Sequence, residues 1–214
     1  VLIIDFDLFG GDIALSLNMK ADKTIFNLVE DLSNNRYEKV EDYIYNYNEN
    51  IDIISSVKDP RQANKIDSKY IPLILNTVLY KYDVILLDTT HILNEINIIL
   101  LDNCDNILVL LSNDLYSLKN TRAFISILKD ASFDNYYTVL NESIMNKSYY
   151  TTFDIRSIIK NNIDFTLPKT LYINKLDKIV ASGLIPILAN GFSSKKDLKH
   201  FGLIAKKLIN KEVQ

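Results

Sequence analysis

Cysteine occurs once in these 214 residues, proline four times and glycine five times. The lone Cys104 cannot close an internal disulfide, which excludes a disulfide-stapled scaffold and suits a reducing, cytoplasmic setting. No run approaches the roughly 20 apolar residues that a membrane span needs, and no charged-then-apolar signal stands at the start. An excess of one charge is missing too. With 24 basic and 27 acidic side chains the net charge is −3, so no global field makes nucleic acid an obligatory partner. The scarce glycines exclude a further feature. A Gly-x-x-x-x-Gly-Lys-Ser/Thr loop wraps backbone N–H groups around phosphate oxygens and brings a lysine to them. None of Gly10, Gly11, Gly183, Gly191 and Gly202 has a Lys-Ser/Thr placed to complete that motif.

What is present is a succession of apolar runs of strand length at Val1–Ile4, Ile51–Ile54, Val84–Leu87, Ile107–Leu111 and Tyr137–Leu140. Stretches of helical periodicity separate them: Ile13–Leu17, Thr24–Leu32 with Thr24 as N-cap, Tyr37–Tyr45, Ser68–Tyr80, Glu95–Leu101, Leu118–Lys129 and Asp154–Lys160. Such alternation predicts an α/β fold, with a mostly parallel sheet covered by helices on both faces. The length suits one large domain over 1–214. Lys58–Ser68, with Pro60, reads as the most loop-like stretch. The last predicted helix, Lys195–Lys211, sets Leu198, Phe201, Leu203, Ile204, Leu208 and Ile209 among six lysines. These are Lys196, Lys199, Lys206, Lys207 and Lys211, beside Lys195 at its start. It reads as the closing helix of the fold or as a basic amphipathic helix on an anionic membrane. The tyrosines, Tyr43, Tyr45, Tyr47, Tyr149 and Tyr150 among them, read as packing or as a base-stacking stripe.

Two segments carry candidate chemistry. The first strand delivers Asp5 and Asp7 at its carboxyl end, followed by Gly10 and Gly11. In open α/β sheets ligands bind outside the carboxyl ends of the strands. The glycines let a backbone approach a phosphate or a partner subunit closely, or simply make a turn. The second segment, Val84-Ile-Leu-Leu-Asp88-Thr-Thr90, has the form of a Walker B strand. A carboxylate at such a strand end suits Mg²⁺, which keeps much of its water shell and is often reached by only one or two protein carboxylates. It equally suits a turn or helix cap.

Together with the Val139-Leu140-Asn141 strand end and the Leu167-Pro168 loop, these segments resemble the MinD/ParA-type deviant Walker P-loop ATPases, in the same order along the chain. Residues 3–17, Ser56–Ala63 and Asp114–Arg122 are most similar to the CpaE/TadZ-like branch assigned to Flp (tight adherence) pilus assembly. The resemblance implies a three-layer P-loop NTPase-like fold, ATP and Mg²⁺ as ligands, and a homodimer formed through the nucleotide face. By position, Asp7 matches the aspartate that orients the attacking water, Asp5 the one supporting the magnesium shell, and Asp88 the Walker B aspartate. Gly11 falls beside the phosphates, Asn141 matches the adenine-bonding asparagine, and Pro168 opens the loop flanking the base. For Asn141 an Asx turn is the alternative. Pilus-assembly proteins are the implied partners, with no sequence-specific nucleic acid, and the implied location is cytoplasmic, polar or membrane-associated through partners.

The resemblance places a P-loop strand ahead of Val1, between the strand ending at Asp88 and the one at Ile107–Leu111. The chain is therefore expected to lack that strand, and neither to bind ATP tightly nor to hydrolyse it alone. A degenerate nucleotide site in a non-hydrolysing scaffold is the rival, and ParA-like chromosome or plasmid partition is the alternative within the fold. A receiver-like signalling domain fits poorly, because Asp7 and Asp88 lie too far apart for a unit of about 120 residues.

Overall fold

In the computed structural model, which describes residues 1–143, 149–171, 176–185 and 195–209, the chain is α/β with mostly parallel sheets flanked by helices. Its contacts divide it into two units, Val1–Cys104 with Asp177–Ile185, and Asp105–Leu176 with Pro186–Gln214.

In the first unit the sheet order is β2-β3-β1-β4, with β1 at Leu2–Asp5, β2 at Tyr45–Asn48, β3 at Ile51–Ile54 and β4 at Ile85–Asp88. β1 pairs in parallel with β3 and with β4, whereas β2 runs antiparallel on the outer edge of β3. Leu2 and Ile4 are fully buried. They join Ile25, Leu28 and Val29 of α2 (Ile25–Ser33), Ile71, Ile74 and Val78 of α4 (Ile71–Val78), and Ile96 and Leu100 of α5 (Glu95–Asp102) in one core. Thr24 stands at the N-cap position of α2, and the Asn27 side-chain oxygen accepts its N–H at 2.9 Å. A short α1 (Ile13–Ser16) precedes it.

Three sequence expectations are corrected here. Tyr37–Tyr45 is not a helix. Only Val40–Tyr43 makes a single 3₁₀ turn, after which Tyr45–Asn48 becomes strand β2. The chain turns because Tyr43 is buried with its hydroxyl donating to Asp31 at 2.7 Å, while Asn46 and Asn48 tie the hairpin, Asn46 to the Asn48 carbonyl at 2.7 Å. The loop Lys58–Ser68 contains a short helix, α3 (Pro60–Ala63), started by Pro60 and capped by Asp59, whose carboxylate accepts the Arg61 N–H at 2.9 Å. Ser68–Tyr80 splits into a 3₁₀ turn at Ser68–Tyr70 and α4.

The second unit has the parallel order β5-β6-β7, with β5 at Ile107–Leu111, β6 at Tyr136–Asn141 and β7 at Phe165–Leu167, a strand the sequence pattern did not show. Helices α6 (Leu115–Asp130) and α7 (Thr152–Ile159) bury Leu118, Ile125, Ile155 and Ile159 against Leu111 and Leu140. Buried Asn113 braces the start of α7. Its Oδ1 accepts the Tyr150 N–H and its Nδ2 donates to the Tyr150 carbonyl, both at 2.9 Å. After α8 (Leu176–Val180) comes α9 (Lys195–Ile209). α9 seats Ile204 on the Val139, Leu167 and Leu171 cluster, as a closing helix does, while Leu203 and Ile209 stay exposed. Residues 210 and 211 of the expected last helix lie outside the described residues.

Among the described residues β4 pairs only with β1 and β5 only with β6, so each keeps an unpaired edge. No helix among them is long and apolar enough to cross a membrane. Replacing Asn113 with alanine removes both bonds to Tyr150. The expected result is a loss of about 1–3 kcal/mol in urea unfolding, with amide exchange faster at residues 150–152.

Candidate functional site

The site begins with strand register. Asp5 of β1 lies directly opposite Asp88 of β4, because parallel pairing aligns Leu2 to Asp5 with Ile85 to Asp88. The ladder continues one step further, the Phe6 N–H donating to the Asp88 carbonyl at 2.8 Å. Asp7 follows in the turn beyond. The structure thus brings Asp5, Asp7 and Asp88 to the carboxyl ends of two adjacent parallel strands.

Their surroundings differ. Asp5 is 1 % exposed and has both oxygens engaged, Oδ1 accepting the Asp7 N–H and Oδ2 the Ile13 N–H, each at 3.2 Å. Burial pushes its pKa up to about 6, opposed by the Ile13 N–H and reinforced by the negative charge of Asp88. Asp88 is also raised, by burial and then by the charge of Asp7. Asp7 uses Oδ1 to accept the Gly10 N–H at 2.9 Å and the Phe9 N–H at 3.3 Å. Neither Asp7 Oδ2 nor the Asp88 carboxylate takes a described hydrogen bond, so these are the open acceptors.

The two glycines are not equivalent. A Cβ on Gly10 would sit 3.4 Å from Asp7 Oδ2, an ordinary contact. A Cβ on Gly11 would lie 2.3 Å from Ser56 Cβ and 2.7 Å from both Asp5 Oδ1 and the Asp7 carbonyl. The turn closes over Asp5 only because position 11 has no side chain.

Two polar residues hold this region that sequence reasoning did not assign. Ser56, beyond β3, is 3 % exposed and donates to the Asp7 carbonyl at 2.8 Å. Asn97, on the buried side of α5, donates from Nδ2 to Thr90 Oγ1 at 2.9 Å and to the Ile92 carbonyl at 2.6 Å, pinning the loop after Asp88. The available signal for Asn97 was an amide flanked by Ile96 and Leu100 on an apolar helix face.

In the second unit, Asn141 ends β6 opposite Leu167 of β7, and the Glu142 N–H donates to the Leu167 carbonyl at 2.9 Å. Asn141 and Pro168 are therefore brought to neighbouring strand ends. The Asn141 side chain makes an Asx turn, its Oδ1 accepting the Ser143 N–H at 3.0 Å and hydroxyl at 2.6 Å. Its Nδ2 makes no described hydrogen bond.

Among the described residues no group of three or more His, Cys, Asp or Glu side chains is arranged as a ready metal cage. Mg²⁺ does not require one, since it relies on one or two carboxylates together with water and phosphate oxygens. Asp88, open and pressed by its neighbours' charge, fits that need, and saturated Asp5 fits a supporting place behind it.

No protein-family model matches the chain, and no curated protein is similar to it in sequence. Solved structures do match. A ParA family ATPase from Chlorobium tepidum TLS superposes with a TM-score of 0.80 at 16% identity, over 95% of this chain and 84% of that one. The septum site-determining protein MinD complexed with Mg-ADP, from Pyrococcus horikoshii OT3, gives 0.75 at 19% identity, over 98% and 83%. A putative plasmid partition protein from Borrelia burgdorferi B31 bound to AMPPNP gives 0.71 at 16% identity, over 96% and 86%. The chain thus has the MinD/ParA P-loop NTPase-like fold.

Two outcomes follow from the geometry. Gly11→Ala forces the turn off Ser56 and Asp5, and a loss of about 1–3 kcal/mol is expected in urea unfolding, whereas Gly10→Ala stays near wild type. Folded Asp5 titrates near 6, above the ordinary 3.8, so the folded state binds the extra proton and stability falls as pH rises between those values. Asp5→Asn is expected to remove a decline on the order of 3 kcal/mol between pH 4 and 6.5, read as the difference between the two proteins' unfolding curves.

Proposed function

We propose that this chain works as a MinD/ParA-type switch ATPase, binding ATP with Mg²⁺ and using the bound state to control dimerisation. The observation that carries the reading is the register that sets Asp5 opposite Asp88 with Asp7 just beyond, all at the carboxyl ends of β1 and β4. Phosphoryl transfer is mainly positioning and charge stabilisation. Bound Mg²⁺ supplies neutralisation of phosphoryl oxygens. Asp88 offers the direct carboxylate for it, Asp5 supports from behind, and Asp7 Oδ2 accepts a hydrogen bond from the attacking water and so orients it. Asn141 donates to the adenine, and Pro168 flanks the base. The phosphate cradle is not within these residues. β4 keeps an unpaired edge beside Asp88, the side on which the resemblance places the P-loop strand. Phe9 and Leu15, 51% and 73% exposed near the carboxylates, support a homodimer formed through the nucleotide face.

The task of the switch is proposed to be positioning or assembling a Flp pilus machine through pilus-assembly proteins. Support comes from the resemblance of residues 3–17, Ser56–Ala63 and Asp114–Arg122 to the CpaE/TadZ-like branch. A second reading, plasmid or chromosome partition, is favoured by the likeness to a putative plasmid partition protein. Partition requires non-specific DNA binding that weakens steeply with salt. A salt-dependent DNA shift assay on the dimer, set beside co-purification with pilus-assembly proteins, separates the two.

These 214 residues alone are expected to show no magnesium-dependent phosphate release, and turnover by them would overturn the assigned cradle. In a form that carries the cradle, Asp7→Ala is expected to lower kcat by about 10²-fold or more while nucleotide affinity is kept. A non-hydrolysing scaffold is indifferent to the change.

A further inference from the structure

The turn that presents Asp7 is built from backbone, and its conformation depends on one hydroxyl outside it. The Asp7 carbonyl takes its hydrogen bond from the segment after β3, and an acceptor left without a donor beside so buried a side chain is costly. Ser56 supplies the donor at 2.8 Å from a side chain only 3 % exposed. Gly11 lies against the same side chain so closely that any Cβ there would overlap Ser56 Cβ. Ser56 is thus in contact with the turn at both of its ends, through the Asp7 carbonyl and through Gly11. Its neighbour anchors a second element, the Ser55 carbonyl accepting the Ile25 N–H at 2.9 Å at the start of α2. The segment after β3 therefore ties the acidic turn to the first unit's core.

We infer that Ser56 is a positioning residue for Asp7, locking the Asp5–Gly11 turn in the conformation that leaves Asp7 Oδ2 open. This rests on the reading of Asp7 as the water-orienting group. The lock works through geometry, because Ser56 reaches neither carboxylate and takes no part in chemistry. With its carbonyl held, Asp7 keeps Oδ1 on the Phe9 and Gly10 N–H groups and directs Oδ2 away from them. With the carbonyl released, the turn can rotate and carry the whole Asp7 carboxylate, its open oxygen included, away from this position.

The test is residue-resolved amide exchange on the chain itself. In Ser56→Ala the amides of Asp7, Gly10 and Ile13 are expected to exchange about fivefold faster or more, with those of β1 and β3 unchanged. Ser56→Cys keeps a side-chain donor but a weaker one on a somewhat larger atom, so an intermediate increase is expected. Turn amides within twofold of wild type would overturn the lock, and so would a uniform increase across the first unit, which marks a merely structural serine. In a form that hydrolyses ATP, Ser56→Ala is expected to lower kcat while KM for ATP stays within twofold; a rise in KM alone overturns the link to Asp7. If a form that carries the cradle shows no hydrolysis, the ATPase reading fails, and the exchange result still judges the lock.

Discussion

The register between β1 and β4 sets two carboxylates side by side, and much of the first unit is arranged around that repulsion. Parallel pairing leaves no freedom to slip, since a one-residue shift would send the buried Leu2 and Ile4 to the other face. The like charges must therefore be accommodated where they stand. Burial and the charge of Asp88 raise Asp5, and two backbone N–H groups offset part of that cost. Asp88 has no such donors and remains raised. An arrangement that costs stability and has open acceptors on one side is what a cation or a bound proton relieves.

Around the carboxylates the donors are nearly all backbone. Asp5 takes the N–H groups of Asp7 and Ile13, and Asp7 takes those of Phe9 and Gly10. No lysine or arginine pairs with these carboxylates among the described ion pairs. Backbone donors stabilise the carboxylates without a compensating full positive charge, so the site keeps its negative field. A side-chain cation in their place would have made a salt bridge and neutralised that field. The same economy appears past β4, where Asn97 fixes the Thr90 loop with a neutral amide.

Central strands were legible in the sequence because continuous branched apolar runs have few other uses. Ile51–Ile54 and Ile107–Leu111 stand as read, and β1, β4 and β6 differ only at their ends. The edges were not legible. β2 is Tyr-Asn-Tyr-Asn, where alternation is present but polar, and a tyrosine-rich stretch next to Val40 mimics helical spacing. β7 has only three residues, too short for any period to show. At the site, the aspartates could be read because strand ends are fixed by the strands before them. Ser56 and Asn97 could not, because a hydroxyl or an amide gives no sign of which carbonyl it will meet, Ser56 reaching back to Asp7 in another strand's turn and Asn97 to the loop ahead of its own helix.

The same reasoning explains a mismatch at the edges of both sheets. A strand such as Ile-Leu-Val-Leu-Leu is composed for burial on both faces, yet β5 alternates, with Leu110 65% exposed and Leu108 38%. β4 repeats the pattern, with Leu86 46% exposed. Natural edge strands are kept short, charged or interrupted to discourage further pairing, and neither strand has a charge before its end. Covering each of these leucines would stabilise its unit by on the order of 1 kcal/mol, with ladder hydrogen bonds besides. β4 and β5 therefore have the composition of interior strands, and for β4 the unpaired edge runs alongside the strand end that carries Asp88. A strand pairing there would satisfy the free N–H and C=O groups of that edge and meet the open Asp88 carboxylate at its carboxyl end.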